Sequence, residues 1–117
     1  MESIKTTISH ITATPYHYNG SPERGAILHD TVSGCACLAT NCDAVLFDSL
    51  AVLNNEINED AESYDIGARF ATIADYIAYY CDVDLMSYAD DDDILDVLYN
   101  DLGFGAIIWI KDIAANS

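Results

Sequence analysis

The sequence predicts an α+β domain spanning residues 1–117. A small antiparallel sheet, made of N-terminal strands plus a C-terminal strand, is packed by about three helices in the order β-β-α-α-α-β. Three observations predict it. The β-branched density of Ile4–Ala13 and the alternation across Ala26–Val32 favour two early strands. Apolar stripes at helical spacing follow between Leu46 and Leu102. The run Ala106–Ile113 (AIIWIKDI) then reads as a closing strand. Strands and helices segregated along the chain point to α+β rather than alternating α/β.

Each element has its own signal. Pro15 is expected to end the first strand, and Tyr16–Gly25, with Asn19-Gly20 and Pro22, reads as a turn or long hairpin loop. In the second strand Ala26, Leu28, Asp30 and Val32 face one way and Ile27, His29 and Thr31 the other. Thr40 is placed to cap a helix, with Asp43 at its third position near the positive helix end. Leu46, Leu50, Leu53 and Ile57 then form its stripe. A second helix is expected from Ala61 or Ser63, carried by Ile66, Phe70, Ile73, Ile77 and Tyr80. Ser87 with Asp90 signals a third, whose buried stripe is Ile94, Leu95, Leu98 and Leu102. Gly103 and Gly105 stop it.

Charge is the outlier of the composition. Twenty acids face four bases over 117 residues, for a net charge of −16, although 51% of residues are apolar. That apolar content excludes a disordered acidic tail. The charge excludes nucleic acid and anionic membrane as direct ligands and favours basic partner surfaces. It is also unevenly spread. Asp43 to Asp101 carries sixteen acids and one base, Arg69, whereas residues 1–42 are close to neutral. No basic segment followed by an apolar run opens the chain and no stretch approaches a membrane span, so a cytoplasmic protein with reduced cysteines is expected.

The acids fall into two groups. Glu56, Glu59, Asp60, Glu62 and Asp65 surround the expected junction of the first two helices. Asp82, Asp84, Asp90, Asp91, Asp92, Asp93, Asp96 and Asp101 crowd the third, and Asp75 points away from the stripe of the second. Carboxylates on neighbouring helical turns lie ~5–6 Å apart, and phosphates repeat every ~3.4 Å along one DNA strand, so such rows match phosphate spacing roughly. The bland alternative is a solvated acidic face. Solubility alone would intersperse Lys, because like charges at i,i+4 weaken a helix. A salt-adapted surface fits less well, since thirteen Ile against five Val and four Cys is the wrong balance.

Other chemistry is weakly signalled. Asp82-Val-Asp84 begins like a calcium loop, but Met86 and Ser87 occupy a ligand position and the required Gly position. Cys35-Ala-Cys37 with Cys42 lacks paired CxxC spacing, although Cys81 or His29 would complete four ligands. Small buried cysteines packing as hydrophobes are the simpler reading. No nucleophile elbow or phosphate loop is present, and beyond residue 30 only Arg69 and Lys111 would meet an anionic substrate. A non-enzymatic protein without cofactor or dedicated metal site is expected. Tyr64, Tyr76, Tyr79, Tyr80, Tyr88 and Tyr99 lie within the acidic segment, Tyr80 reading most as core and others as contacts for a partner rich in Arg and Lys.

The stretch SYDIGARFATIADYIAYYCDVDLMSYADDDDILDVLYNDLG resembles the acidic, Tyr-rich helical segments of ArdA-type antirestriction proteins. In size and in acidity on a packed core the chain is similar to the DNA-mimic inhibitors of phages and mobile elements, including acidic anti-CRISPR proteins. The resemblance implies a stoichiometric inhibitor, acting in the host cytoplasm if phage-encoded. It would occupy the basic groove of a nucleic-acid-binding complex, a CRISPR effector or a restriction enzyme, with the acids named above standing in for phosphates. The other class open to such a chain is an antitoxin, immunity or adaptor protein masking a basic partner that does not bind nucleic acid. A homodimer would extend the acidic surface, with Trp109 or an exposed Tyr patch as its pointer.

Overall fold

A computed structural model describes residues 3–18, 24–40, 43–59 and 64–116. The expected α+β class holds: five helices and a five-strand antiparallel sheet are present among the described residues. The expected order of elements does not hold. The chain opens with α1 (Ile4–Ile8), followed by β1 (Ile11–Tyr18), β2 (Arg24–Asp30), β3 (Ala36–Thr40) and β4 (Ala44–Phe47). After these come α2 (Leu50–Glu59), β5 (Tyr64–Ile66), α3 (Ile73–Cys81), a 3₁₀ turn at Leu85–Ser87, α4 (Asp91–Leu102) and α5 (Phe104–Ala115). The strand order is β4-β3-β2-β1-β5.

The expected strand at Ile4–Ala13 is half helix. Ser3 caps α1, its hydroxyl accepting the Thr6 N–H at 3.1 Å. Ile4 and Ile8, four apart, both enter the core, which is helical rather than strand spacing. The strand starts only at Ile11 and runs through Pro15 to Tyr18, so the proline does not end it. The backbone explains why. The Pro15 carbonyl accepts the Gly67 N–H at 2.8 Å, so the donor-less Pro15 nitrogen faces the same side. On that side the pairing is interrupted between β5 and the isolated Ala13–Phe70 bridge, where a missing donor breaks no ladder.

Two expected helices are shorter than their stripes. Thr40 does make the anticipated bond, its hydroxyl accepting the Asp43 N–H at 3.0 Å, but within the β3–β4 turn. Leu46 therefore lies in a strand, and α2 begins at Leu50, with Leu53 and Ile57 buried as expected. Ile66 and Phe70 likewise belong to β5 and to the bridge with Ala13. Thr72 caps α3 by accepting the Asp75 N–H at 3.1 Å, leaving Ile73 and Ile77 as the buried stripe. The cap of α4 is Asp90, whose Oδ1 accepts the Asp92 N–H at 2.9 Å, while Ser87 stays in the 3₁₀ turn.

The largest correction is at the C-terminus, where the expected closing strand is α5. Ala106, Trp109, Ile110 and Ala114 recur at helical spacing and are buried. Trp109 is thus a core residue. Burial of an Ile or Trp stabilises by about 1.5–3 kcal/mol, which outweighs the few tenths by which β-branched residues disfavour a helix. Gly103, at φ 87°, makes the sharp turn from α4 into α5. Gly105 allows close approach, since a Cβ there would lie 2.9 Å from both the Cβ and the N of Ala44.

The pleat of the sheet separates two cores. Ile11, Ala13, Ala26, Leu28, Cys37 and Ala39 face α1, α3, α4 and α5. Tyr16, Ile27 and Ala36 face α2, through Leu53 and Ile57. The β2–β3 turn is organised by the buried Asp30, which accepts from Val32 N–H at 3.1 Å, Ser33 N–H at 3.2 Å and the Ser33 hydroxyl. No helix among the described residues is long and apolar enough to cross a membrane.

Candidate partner-binding surface

The acids occupy the outward faces of elements whose inward faces hold the core. In α4, Ile94, Leu98 and Leu102 are buried and Asp92, Asp93 and Asp96 are exposed. Asp92 and Asp96 are i,i+4 neighbours, a repulsion of a few tenths of a kcal/mol. Three buried aliphatic side chains outweigh that several-fold. The first turn also receives Asp91, Asp92 and Asp93 at the positive end of the helix, where carboxylates are favoured. Burial and the helix terminus together let α4 carry acids with no base in its own length.

Some of these acids have structural work. Asp91 is half-buried and Oδ2 accepts the Ile4 N–H at 3.0 Å, joining α4 to the start of α1. Asp90 is a cap. Asp82 ends α3 in a left-handed conformation, φ 54°, which Asp tolerates better than most side chains. Asp84 precedes the 3₁₀ turn, and its carbonyl accepts the Ser87 hydroxyl at 2.8 Å. Asp101 is half-buried, with the Cys81 thiol 3.4 Å from its Oδ1 joining the ends of α3 and α4. The acids turned fully outward are Asp75, Asp82, Asp84, Asp90, Asp92, Asp93 and Asp96.

The two acidic groups do not merge. Glu56 and Glu59 are exposed on α2, which covers the sheet face opposite the one that α3 and α4 cover. Asp65 lies on β5 opposite His17, with the imidazole Nε2 3.7 Å from Oδ2. It shares a cleft of about 320 Å³ with Tyr80 of α3, and so belongs to the α3 side. Asp60 and Glu62 lie outside the described residues. Among the described residues the basic side chains within 4 Å of a carboxylate are the imidazoles of His10, at Asp30, and His17, at Asp65, and no Lys or Arg pairs with an acid.

Aromatic residues border the acids on α3. Phe70, Tyr76, Tyr79 and Tyr80 form one cluster with ring centroids 5.0–6.0 Å apart. The buried ring is Tyr76, whereas Tyr80, expected in the core, is 38% exposed and Tyr79 is 71% exposed. Tyr80 continues the face of Ile73, Tyr76 and Ile77 but stands one residue before the end of α3 at Cys81. Tyr99 on α4 is also exposed. Exposed Tyr beside Asp offers rigid contact area and acceptors to a guanidinium-rich surface.

The cysteines are dispersed. Cys37 sits in the core, where burial and then the nearby Asp43 charge push its thiol up to about 12. Cys35 is half-buried, Cys81 is exposed on α3, and Cys42 lies outside the described residues. One apolar feature went unread in the sequence, because it needed β4 and α5 in their true conformations. A cleft of about 470 Å³ opens between them, lined by Ala44, Leu46, Gly105, Ile108 and Trp109 and rimmed by Lys111 and Asp112.

No protein-family model, no curated protein and no solved structure matches the chain.

Proposed function

We propose that the chain is a nucleic-acid mimic that binds the basic groove of a nucleic-acid-binding defence complex and blocks target binding. An RNA-guided effector is the first candidate target and a restriction enzyme the second. The observation that carries the reading is the row of outward acids on α3, α4 and their connection, unpaired with Lys or Arg among the described residues and bordered by exposed Tyr79, Tyr80 and Tyr99. Ordered helices hold the carboxylates without the conformational loss that a disordered acidic tail suffers on binding. Glu56 and Glu59, on the other side of the sheet, lie outside this binding face.

The test is affinity capture of the partner from a host lysate, followed by competition. The captured protein is expected to bind DNA or RNA, and nucleic acid is expected to displace the chain. Complex stability is expected to fall between 0.1 M and 1 M salt, where the Debye length shrinks from ~10 Å to ~3 Å. Asp92→Asn, Asp93→Asn and Asp96→Asn combined should weaken the complex with the fold intact. A partner that holds the chain and nucleic acid together, or that binds no nucleic acid, would instead identify an antitoxin, immunity or adaptor protein.

A further inference from the structure

The two edges of the sheet are unlike. The β5 edge is three residues long, carries Asp65, and runs into the irregular segment before Phe70. These are devices that discourage strand addition. The β4 edge is Ala-Val-Leu-Phe, with no Lys, Pro or bulge, and Leu46 is 61% exposed. The Asp43 carbonyl accepts the Thr40 N–H at 2.8 Å, so alternation of the ladder directs Asp43 and Val45 toward β3 and Ala44 and Leu46 outward. The outward Ala44 N–H is taken by Asp43 Oδ1 at 2.7 Å. Leu46 is left to present both its N–H and its C=O at the open edge.

We propose that this edge pairs with the β4 of a second copy, antiparallel about a two-fold axis at Leu46, to make one continuous sheet. The geometry is self-complementary. The two Leu46 residues exchange N–H···O=C bonds, and their side chains meet on the face that carries α5. Strands lie ~4.8 Å apart, and α5 lies over β3 and β4. The two α5 helices therefore lie side by side on one face, about 10–14 Å apart at ~4.8 Å per strand, with the outward Ile108, 53% exposed, beside Leu46 in the cleft between them.

Charge is divided. The pairing sets Asp48 of the second copy opposite Ala44, in the cleft rimmed by Lys111, one of only four basic residues in the chain, and by Asp112. Lys111 attracts that carboxylate, while Asp112 and the Asp43 carboxylate on the Ala44 N–H repel it. The inference does not rest on nucleic-acid mimicry.

Sedimentation equilibrium of the full chain over a concentration series tests it. A mass approaching twice the 12.8 kDa of the chain is expected. Association should tighten with salt, because the interface is mostly apolar while the copies, each at −16, repel. Partner binding would respond to salt in the opposite sense. Leu46→Glu, at an exposed site, should keep the circular dichroism spectrum and raise the dimer dissociation constant roughly tenfold or more. Lys111→Glu should weaken the dimer, and adding Asp48→Lys should restore it. A 12.8 kDa species at every concentration overturns the proposal. So does a folded Leu46→Glu chain that dimerises as tightly as the parent, or a double charge swap no tighter than Lys111→Glu alone.

Discussion

Asp91 Oδ2 accepts the backbone N–H of Ile4 at 3.0 Å across 87 residues of sequence, so one carboxylate of the Asp90–Asp93 block holds the helical layer together. Its neighbours Asp92 and Asp93 face solvent. Hydrogen bonds to charged groups contribute about 1.5–3 kcal/mol, less when half-exposed. Asp91→Ala is therefore expected to destabilise by about 1–2 kcal/mol. Asp92→Asn and Asp93→Asn should each change stability by less than about 1 kcal/mol, because relief of repulsion opposes loss of the helix-terminus interaction. Urea midpoints of the three variants check this.

Asp30 makes stability depend on acid. Burial alone would raise its pKa, but the bonds from the Ser33 hydroxyl, the Val32 and Ser33 amides and His10 outweigh burial and hold it below the ordinary carboxyl value. A lowered folded pKa means that the stabilisation is present above the ordinary carboxyl pKa of ~3.9 and is lost as pH falls through the folded value. Asp30→Asn cannot titrate. The stability advantage of the parent over Asp30→Asn is expected to shrink on acidification from pH ~5 downward, as denaturation curves across that range would reveal.

Gly105 sets the seat of α5 on β4. In a free helix Gly→Ala would stabilise by about 1 kcal/mol. Here the added Cβ meets Ala44 at 2.9 Å, on backbone that cannot swing aside. Overpacking of this kind costs about 1–3 kcal/mol. Gly105→Val is expected to lower the thermal midpoint clearly, and Gly105→Ala should show none of the usual gain.

Thiol reactivity should rank with burial. Cys81 is exposed, whereas Cys37 is buried with its pKa pushed up to about 12. The thiolate is the reactive form. Brief alkylation of the native protein, followed by peptide mapping, is expected to modify Cys81 and spare Cys37. Modification of Cys37 should appear only once denaturant unfolds the sheet.

The sequence by itself determined what local chemistry can determine. The stripe of α4, its stop at Gly103, the inward Leu53, Ile57, Ile73 and Ile77, and the α+β class were all legible, as was the one-sided charge. Spacing records which residues turn away from water, and acids placed between apolar positions must turn toward it. Tertiary structure decided where the stripes stop being helical. Ile66 and Phe70 continue a helical spacing yet pair with β1, and Leu46 continues one yet lies in β4, because edge strands gain more from ladder partners than from a further turn. It also decided the reverse at AIIWIKDI, whose alternating β-branched residues form α5. Burial against β3, β4 and α4 there outweighs a preference of a few tenths of a kcal/mol per residue. The same placement set Glu56 and Glu59 on one side of the sheet and the α4 acids on the other, and left β4 as an open apolar edge. Neither could be read along the chain, because both depend on which face of the sheet each helix covers.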